Sequence, residues 1–356
     1  RRRRHDRSRR AAALDPRRQA SMSTVDAALT PRAERAELTG SPGTAPAATD
    51  HPAGTGRPTA APRRRRPRRR EYLTFLAFAG PNLLMIALFT YRPLLLNIQY
   101  STLNWNLGSR TATVVGLGNY TKWFSDPRSW EVLRVTGVFT LATVGGTLLL
   151  GLLLATALNQ RVKGRTAARS IIFAPYVLSG VGVGLVWLFI FDPMYGALSA
   201  ALRLWGATGP DWYLDRRWAL VMVIIVYIWK NLGYAAVVYV AALQSVPQDL
   251  LDAAALDGAG SLRRFVHITI PLLSPTTFFL LITTTLSSLQ SFDLIHVMTK
   301  GGPIDGTTTL MYQVYVEAFV DGRAGYSAAI ATILFAILLI VTVLQMRFLE
   351  RKVHYS

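Results

Sequence analysis

Beyond residue 70 the apolar residues neither alternate nor recur at an amphipathic helix period. They are gathered into six blocks almost free of charge, at 73–91, 136–158, 171–191, 219–243, 271–292 and 326–346. Each reaches the ~20 residues that a hydrocarbon core of about 30 Å requires of a spanning helix. The pattern therefore predicts an all-α integral membrane protein with six transmembrane helices. Gly80-Pro81 places a kink in the first block, which neighbouring helices can tolerate in a bilayer. Lys230 interrupts the fourth block, and the many Thr and Ser of the fifth suggest a helix that faces other helices.

Between the last two blocks of polar sequence the contrast is large. Residues 1–70 hold nineteen Arg, no Lys and six acids among Ala, Pro, Gly, Ser and Thr, with almost no large apolar side chains. Such a segment cannot bury enough apolar surface to offset its ordering entropy, and it reads as a disordered basic tail. Most of the chain's net charge of +19 sits there. Without aromatics or a folded module among the arginines, nucleic acid is not an expected partner. The run from Arg63 to Arg70 abuts the first block instead, where a basic cluster is held on the cytoplasmic side and attracted to anionic membrane lipids. With the tail inside, the inner segments 159–170, 244–270 and 347–356 carry nine Lys or Arg in 49 residues, against ten in 104 for the outer ones. This asymmetry predicts a multi-pass protein of the plasma membrane with both termini cytoplasmic. A secretory signal is not expected, since the first apolar block lies some 70 residues in and is too long.

The connector between blocks four and five, 247–271, is unlike an ordinary loop. Pro247 suits a helix start, Ala and Leu favour continuation, and Gly258 and Gly260 break it. A second short helix can begin near Ser261, with Leu262, Phe265, Val266 and Thr269 on one face. The result is a helix–Gly–helix elbow. It could lie on the bilayer surface as an amphipathic segment, or dock into a groove of a partner.

Asp252-Ala253-Ala254, then Asp257-Gly258-Ala259, then Phe265, Ile268 and Pro271 at these spacings resemble the EAA motif of permeases in binding-protein-dependent ABC importers. The family usually has Glu where this chain has Asp252, which keeps the charge and shortens its reach by one methylene. Phe292-Asp293 followed by Met298-Thr299-Lys300-Gly301-Gly302-Pro303 is similar to the outer loop of the carbohydrate-uptake, maltose-permease-like branch. Gly80-Pro81-Asn82-Leu83-Leu84, Phe89-Thr90-Tyr91-Arg92-Pro93-Leu94, Phe173-Ala174-Pro175-Tyr176-Val177 and Tyr227-Ile228-Trp229-Lys230-Asn231-Leu232-Gly233-Tyr234 look like the A-type permeases of glycerol-3-phosphate and glycerophosphodiester importers. The resemblance covers about residues 72–350. It implies the type I importer permease fold, a permease domain over 71–352, and an elbow that acts as the coupling helix to an ATPase. It also implies a second permease subunit, two ATPase subunits that bind ATP and Mg, an extracytoplasmic solute-binding protein, and a small-molecule substrate. That substrate would be sn-glycerol-3-phosphate or a glycerophosphodiester such as glycerophosphocholine. A maltose- or trehalose-type sugar is the alternative.

The remaining chemistry is sparse. With no cysteine, disulfides and thiolate sites are excluded. The five histidines lack metal-ligand spacing, and no phosphate-binding loop occurs, so ATP hydrolysis is expected from partner subunits and no cofactor from this chain. The Gly180, Gly182 and Gly184 series sits in apolar sequence and reads as helix packing. An ion-coupled secondary transporter is disfavoured by the lack of acids within the blocks. Lys230 is the one charge inside a span, and such an ion is by default a functional-site hypothesis. It could attract an anionic substrate, with Asp293 and His296 further along the path, although a structural role for Lys230 fits as well.

Overall fold

The computed structural model describes residues 69–160 and 164–349. The Arg-rich tail, the Arg63 to Arg68 part of the basic run and the last residues of the expected permease domain lie outside the described residues. The rest is helical apart from a two-residue antiparallel ladder, in which β1 (Leu103–Asn104) pairs with β2 (Thr113–Val114).

Five helices are long and apolar enough to cross a membrane, or six if one bent pair counts as a span. In chain order the helices are α1 (Tyr72–Ser101), α2 (Gly118–Ser125), α3 (Pro127–Leu158), α4 (Arg165–Val177), α5 (Gly180–Ile190), α6 (Ala197–Leu204) and α7 (Arg216–Gln244). After these come α8 (Gln248–Leu256), α9 (Ser261–Arg264), α10 (Ser274–Leu289), α11 (Asp293–Met298), α12 (Leu310–Tyr315) and α13 (Ala324–Leu349). The first apolar block continues through a π-helical turn at Ala87–Tyr91 to Ser101. Block two begins well before residue 136.

The segment 171–191, expected as one span, is instead two helices, α4 and α5, bent by 100° at Leu178-Ser179. The physical reason lies in the backbone. Pro175 sits in the last turn of α4, Leu178 is extended (ψ 148°), and Ser179 is also non-helical (ψ 133°) before Gly180 restarts the helix. Block five is likewise interrupted, by Gln290-Ser291-Phe292 between α10 and α11.

α3 and α7 form the central pair. Small residues let their backbones approach, since a Cβ at Gly151 would lie 2.8 Å from the Cβ of Ala235. Phe139, Met222, Val223 and Val226 bury their side chains there with Leu294 and Ile295 from α11. α10 joins α3 through a hydrogen bond between the Thr143 and Ser288 hydroxyls (2.8 Å), and Thr136 Oγ1 accepts from the Leu310 amide at the start of α12. The second half of α1 packs on α13, where Asn97 Nδ2 donates to the Ala328 carbonyl and to Thr332 Oγ1. Its first half is different, with no residue of its most apolar stretch buried.

Charge collects at the end of the bundle where α3 and α7 start. Asp126 caps α3 and Asp215 caps α7, each carboxylate accepting a backbone N–H two residues on. Glu131 pairs with Arg134 on its own helix and with Arg216 of α7. The short buried stretch after α12 places Glu317 against Arg323 (2.6 Å). Burial pushes the Glu317 carboxyl above its ordinary value, and the Arg323 guanidinium pulls it part of the way back. Arg128 grips Asp305 with two parallel bonds of 2.8 and 2.9 Å, tying α3 to the loop before α12. Both partners are partly exposed, so Arg128→Ala should cost about 1 kcal/mol or less, with Asp305→Ala adding little on top. A double-mutant cycle by thermal unfolding checks this, and fully additive losses would show that the pair does not couple.

Candidate functional site

At the opposite end, the chain leaves α7 and turns back through the elbow. Pro247 serves as N-cap rather than first helical residue of α8. The helix stops at Leu256 in a Schellman arrangement, with the Ala259 amide bonded to the Ala254 carbonyl (2.9 Å) and the Gly258 amide to that of Ala255 (3.1 Å). This closure needs the left-handed backbone that Gly258 supplies at φ +78°. α9 then leads into a π-helical turn at Phe265–Thr269, where the Ile270 amide reaches back five residues to the Phe265 carbonyl. Pro271 explains the widening, because a proline ring crowds the carbonyl four residues before it and has no N–H to give.

The wide turn changes which residues share a face. Leu262 and Val266, expected inward with Phe265 and Thr269, are exposed, while Phe265 and Ile268 are half-buried and Thr269 is buried. The two arms are braced where Arg264 Nη1 donates to the Leu251 carbonyl (3.2 Å). Asp252, Ala253, Asp257 and Gly258 lie on the exposed side of the knob, and Ala254 and Ala259 line its inner side. Leu256 is 90% exposed beside them, and Leu262 is 74% exposed. A braced projection that turns bare leucines away from its own chain is built to meet another surface.

Within the bundle a polar pocket of about 260 Å³ opens between α4, α7 and α10. Tyr227, Asn231 and Tyr234 line it from one face of α7, Tyr176 from α4, and Thr283, Thr284 and Ser287 from α10. Their hydroxyl, amide and ring surfaces suit a small polyol or its ester. Sequence reasoning did not single out this set as a site. The signal was the i, i+4, i+7 spacing of Tyr227, Asn231 and Tyr234, which puts three polar-tipped side chains on one face of an apolar helix.

Lys230 borders this pocket. Its Nζ donates to the Tyr176 carbonyl (3.3 Å) and lies 5.7 Å from the centre of that ring, which itself stacks on Tyr234. The Tyr176 carbonyl is in the last turn of α4, next to the break, where helix carbonyls lack intrahelical donors. The ammonium thus caps a half-helix at its negative end. Asp293 begins α11, where its Oδ1 accepts the Leu294 amide and its carboxylate presses on Gly180 at the start of α5. His296 stacks on Phe292 (5.1 Å) and meets Tyr315 edge-on. Among the described residues, no hydrogen bond or ion pair joins Lys230, Asp293 and His296 to one another.

A family model described as the binding-protein-dependent transport system inner membrane component matches residues 147–355. The sn-glycerol-3-phosphate transport system permease protein UgpA of Agrobacterium fabrum is 38% identical over 287 residues, covering 80% of this chain and 97% of that protein. The protein of the same name from Brucella abortus is also 38% identical, over 78% of this chain and 94% of its own. The crystal structure of a bacterial ABC transporter involved in the import of the acidic polysaccharide alginate holds a chain of the same fold, with a TM-score of 0.69 at 21% identity. That match covers 79% of this chain and 96% of the other. Membrane-length helices, a braced elbow after the fourth of them and these likenesses converge: the chain belongs to the family of inner membrane permease components of binding-protein-dependent transport systems.

Proposed function

We propose that this subunit forms half of the translocation path of an importer for sn-glycerol-3-phosphate or a glycerophosphodiester. The observation that carries the cargo is the 38% identity to permeases named for sn-glycerol-3-phosphate, sustained over nearly their whole length. A second, similar permease supplies the other half of the path, two ATPase subunits bind ATP and Mg beneath, and a solute-binding protein delivers cargo from outside. Both termini and the elbow face the cytoplasm, in keeping with the basic density of the segments on that side. The elbow residues Asp252, Ala253, Ala254, Asp257, Gly258, Ala259, Phe265, Ile268 and Pro271 make the coupling element, its exposed leucines seated in the ATPase. ATP binding draws the ATPases together, moves the elbow and tips the pocket from inward to outward access, so that binding energy at one site biases a two-state element at another.

Cargo passes the pocket between α4, α7 and α10. Its hydroxyls meet the tyrosines and threonines, and its phosphate meets Lys230 once that ammonium leaves the Tyr176 carbonyl. Asp293 and His296 lie further along the same path. The test is ATPase activity of the reconstituted complex with its binding protein, across glycerol-3-phosphate, glycerophosphocholine, maltose and trehalose. Stimulation by the phosphate compounds alone is expected. Stimulation by a sugar alone would keep the permease and overturn the cargo.

A further inference from the structure

A second groove, of about 440 Å³, lies between α3, α10 and α13, apart from the polar pocket. Along α3 it is bordered by Gly137, Leu141 and Gly145, four residues apart and therefore one ridge of the helix. A Cβ at either glycine would meet nothing within 4 Å, whereas Leu141 between them is 77% exposed. The ridge thus offers a notch, a knob and a notch.

Apolar exposure carries no signal in a bilayer, where lipid tails cover it equally well. The polar atoms of the groove do. Thr136 and Thr143 on the same helix each donate to the carbonyl four residues back, but Thr140, 9% exposed, lines the groove with a hydroxyl that has no partner. Gln345 donates from Nε2 to Thr285 Oγ1 (3.0 Å) and leaves Oε1 buried without a donor. Turning that amide over would merely exchange which end is left. An unsatisfied polar group in hydrocarbon is costly, and an acyl chain offers neither donor nor acceptor. Small residues that let backbones approach, together with Thr and Gln that can bond across, are what a helix–helix contact in a membrane uses.

We infer that this groove receives a transmembrane helix of the second permease subunit, whose bulky apolar side chains fill the notches over Gly137 and Gly145. A hydroxyl or amide on that helix donates to Gln345 Oε1. The inference rests on the two-permease reading above. It also separates two surfaces of one chain, since the polar pocket serves cargo and this groove serves assembly.

The absence of cysteine makes the test clean. In the full complex in native membranes, Leu141→Cys is labelled with a benzophenone maleimide and irradiated, and adducts are identified by mass spectrometry. Leu153→Cys, exposed on the same helix but outside the groove, is the control. The expected result is an adduct with the second permease from position 141 and none from 153. Adducts with lipid alone at both positions overturn the inference. Gly145→Phe, which has room for its ring, should reduce co-purified second permease about tenfold while the chain still inserts, and unchanged recovery overturns it too. Co-purification of the second permease without the adduct at 141 removes the groove alone. Failure of any second permease to co-purify with the unmodified chain removes the two-permease reading along with it.

Discussion

Gly233→Leu is expected to abolish recovery of folded protein, and Gly233→Ala to cost about 2 kcal/mol, toward the upper part of what overpacking a well-packed site costs. A Cβ at Gly233 would overlap the carbonyl oxygen of Ile172, 2.7 Å from its carbon, and would sit 2.9 Å from the Cα of Phe173. These are backbone atoms, which cannot rotate aside as the end of a side chain can. The whole of α4 would have to move away from α7, taking with it Tyr176, the carbonyl that holds Lys230 and one wall of the polar pocket. Uptake should therefore fall further than stability alone accounts for. Gly182→Ala is the control, because its Cβ would meet nothing within 4 Å and alanine favours a helix. Thermal stability of the two alanine variants in the same detergent decides the matter, and equal melting temperatures would sink the argument from close approach.

The second large effect belongs to Gly258. Its backbone at φ +78° is one that leucine adopts only at about 1–3 kcal/mol, and there is open space around it, so the penalty is conformational and not steric. Gly258→Leu should loosen the Schellman closure and displace the knob, lowering uptake about tenfold while insertion, thermal stability of the bundle and basal ATP hydrolysis persist. Gly258→Asn should restore most of the uptake, since asparagine tolerates the left-handed region. Vesicle transport measured beside ATPase activity separates these cases. A leucine variant that transports normally would show that the elbow's shape does not matter to coupling.

Most of the architecture was legible because a bilayer enforces a simple rule. Long uncharged blocks have few other stable fates, and the elbow's Pro247, Gly258 and Pro271 announce where helices start, stop and widen. What stayed hidden was geometry that depends on contacts between distant segments. Block 171–191 has a continuous apolar composition, and nothing in that composition tells a straight span from two helices at 100°. The π turn at Phe265–Thr269 shifted the register of a face that α-helical spacing had assigned, turning Leu262 and Val266 outward. Lys230 was visible as an unusual charge, but its place at the end of α4 follows from the break and was not readable without it. The pocket tyrosines carried a helical spacing that was present all along, yet tyrosine in an apolar helix is too ordinary to stand out until Thr283, Thr284 and Ser287 face it.

The bracing of the elbow also has a mechanical meaning. α8 has nine residues, which makes an arm about 13 Å long at 1.5 Å per residue. Two amide bonds at Gly258 and Ala259 and the guanidinium of Arg264 on the Leu251 carbonyl fix that arm to the chain entering α10. A rotation of roughly 10° in the arm then corresponds to a tip displacement of about 2 Å over that length. Because the joint is held on both sides, such a displacement is passed on as a tilt of α10 instead of being absorbed in slack, and the stiffness of this joint sets how much of each stroke reaches the pocket wall at Thr283, Thr284 and Ser287.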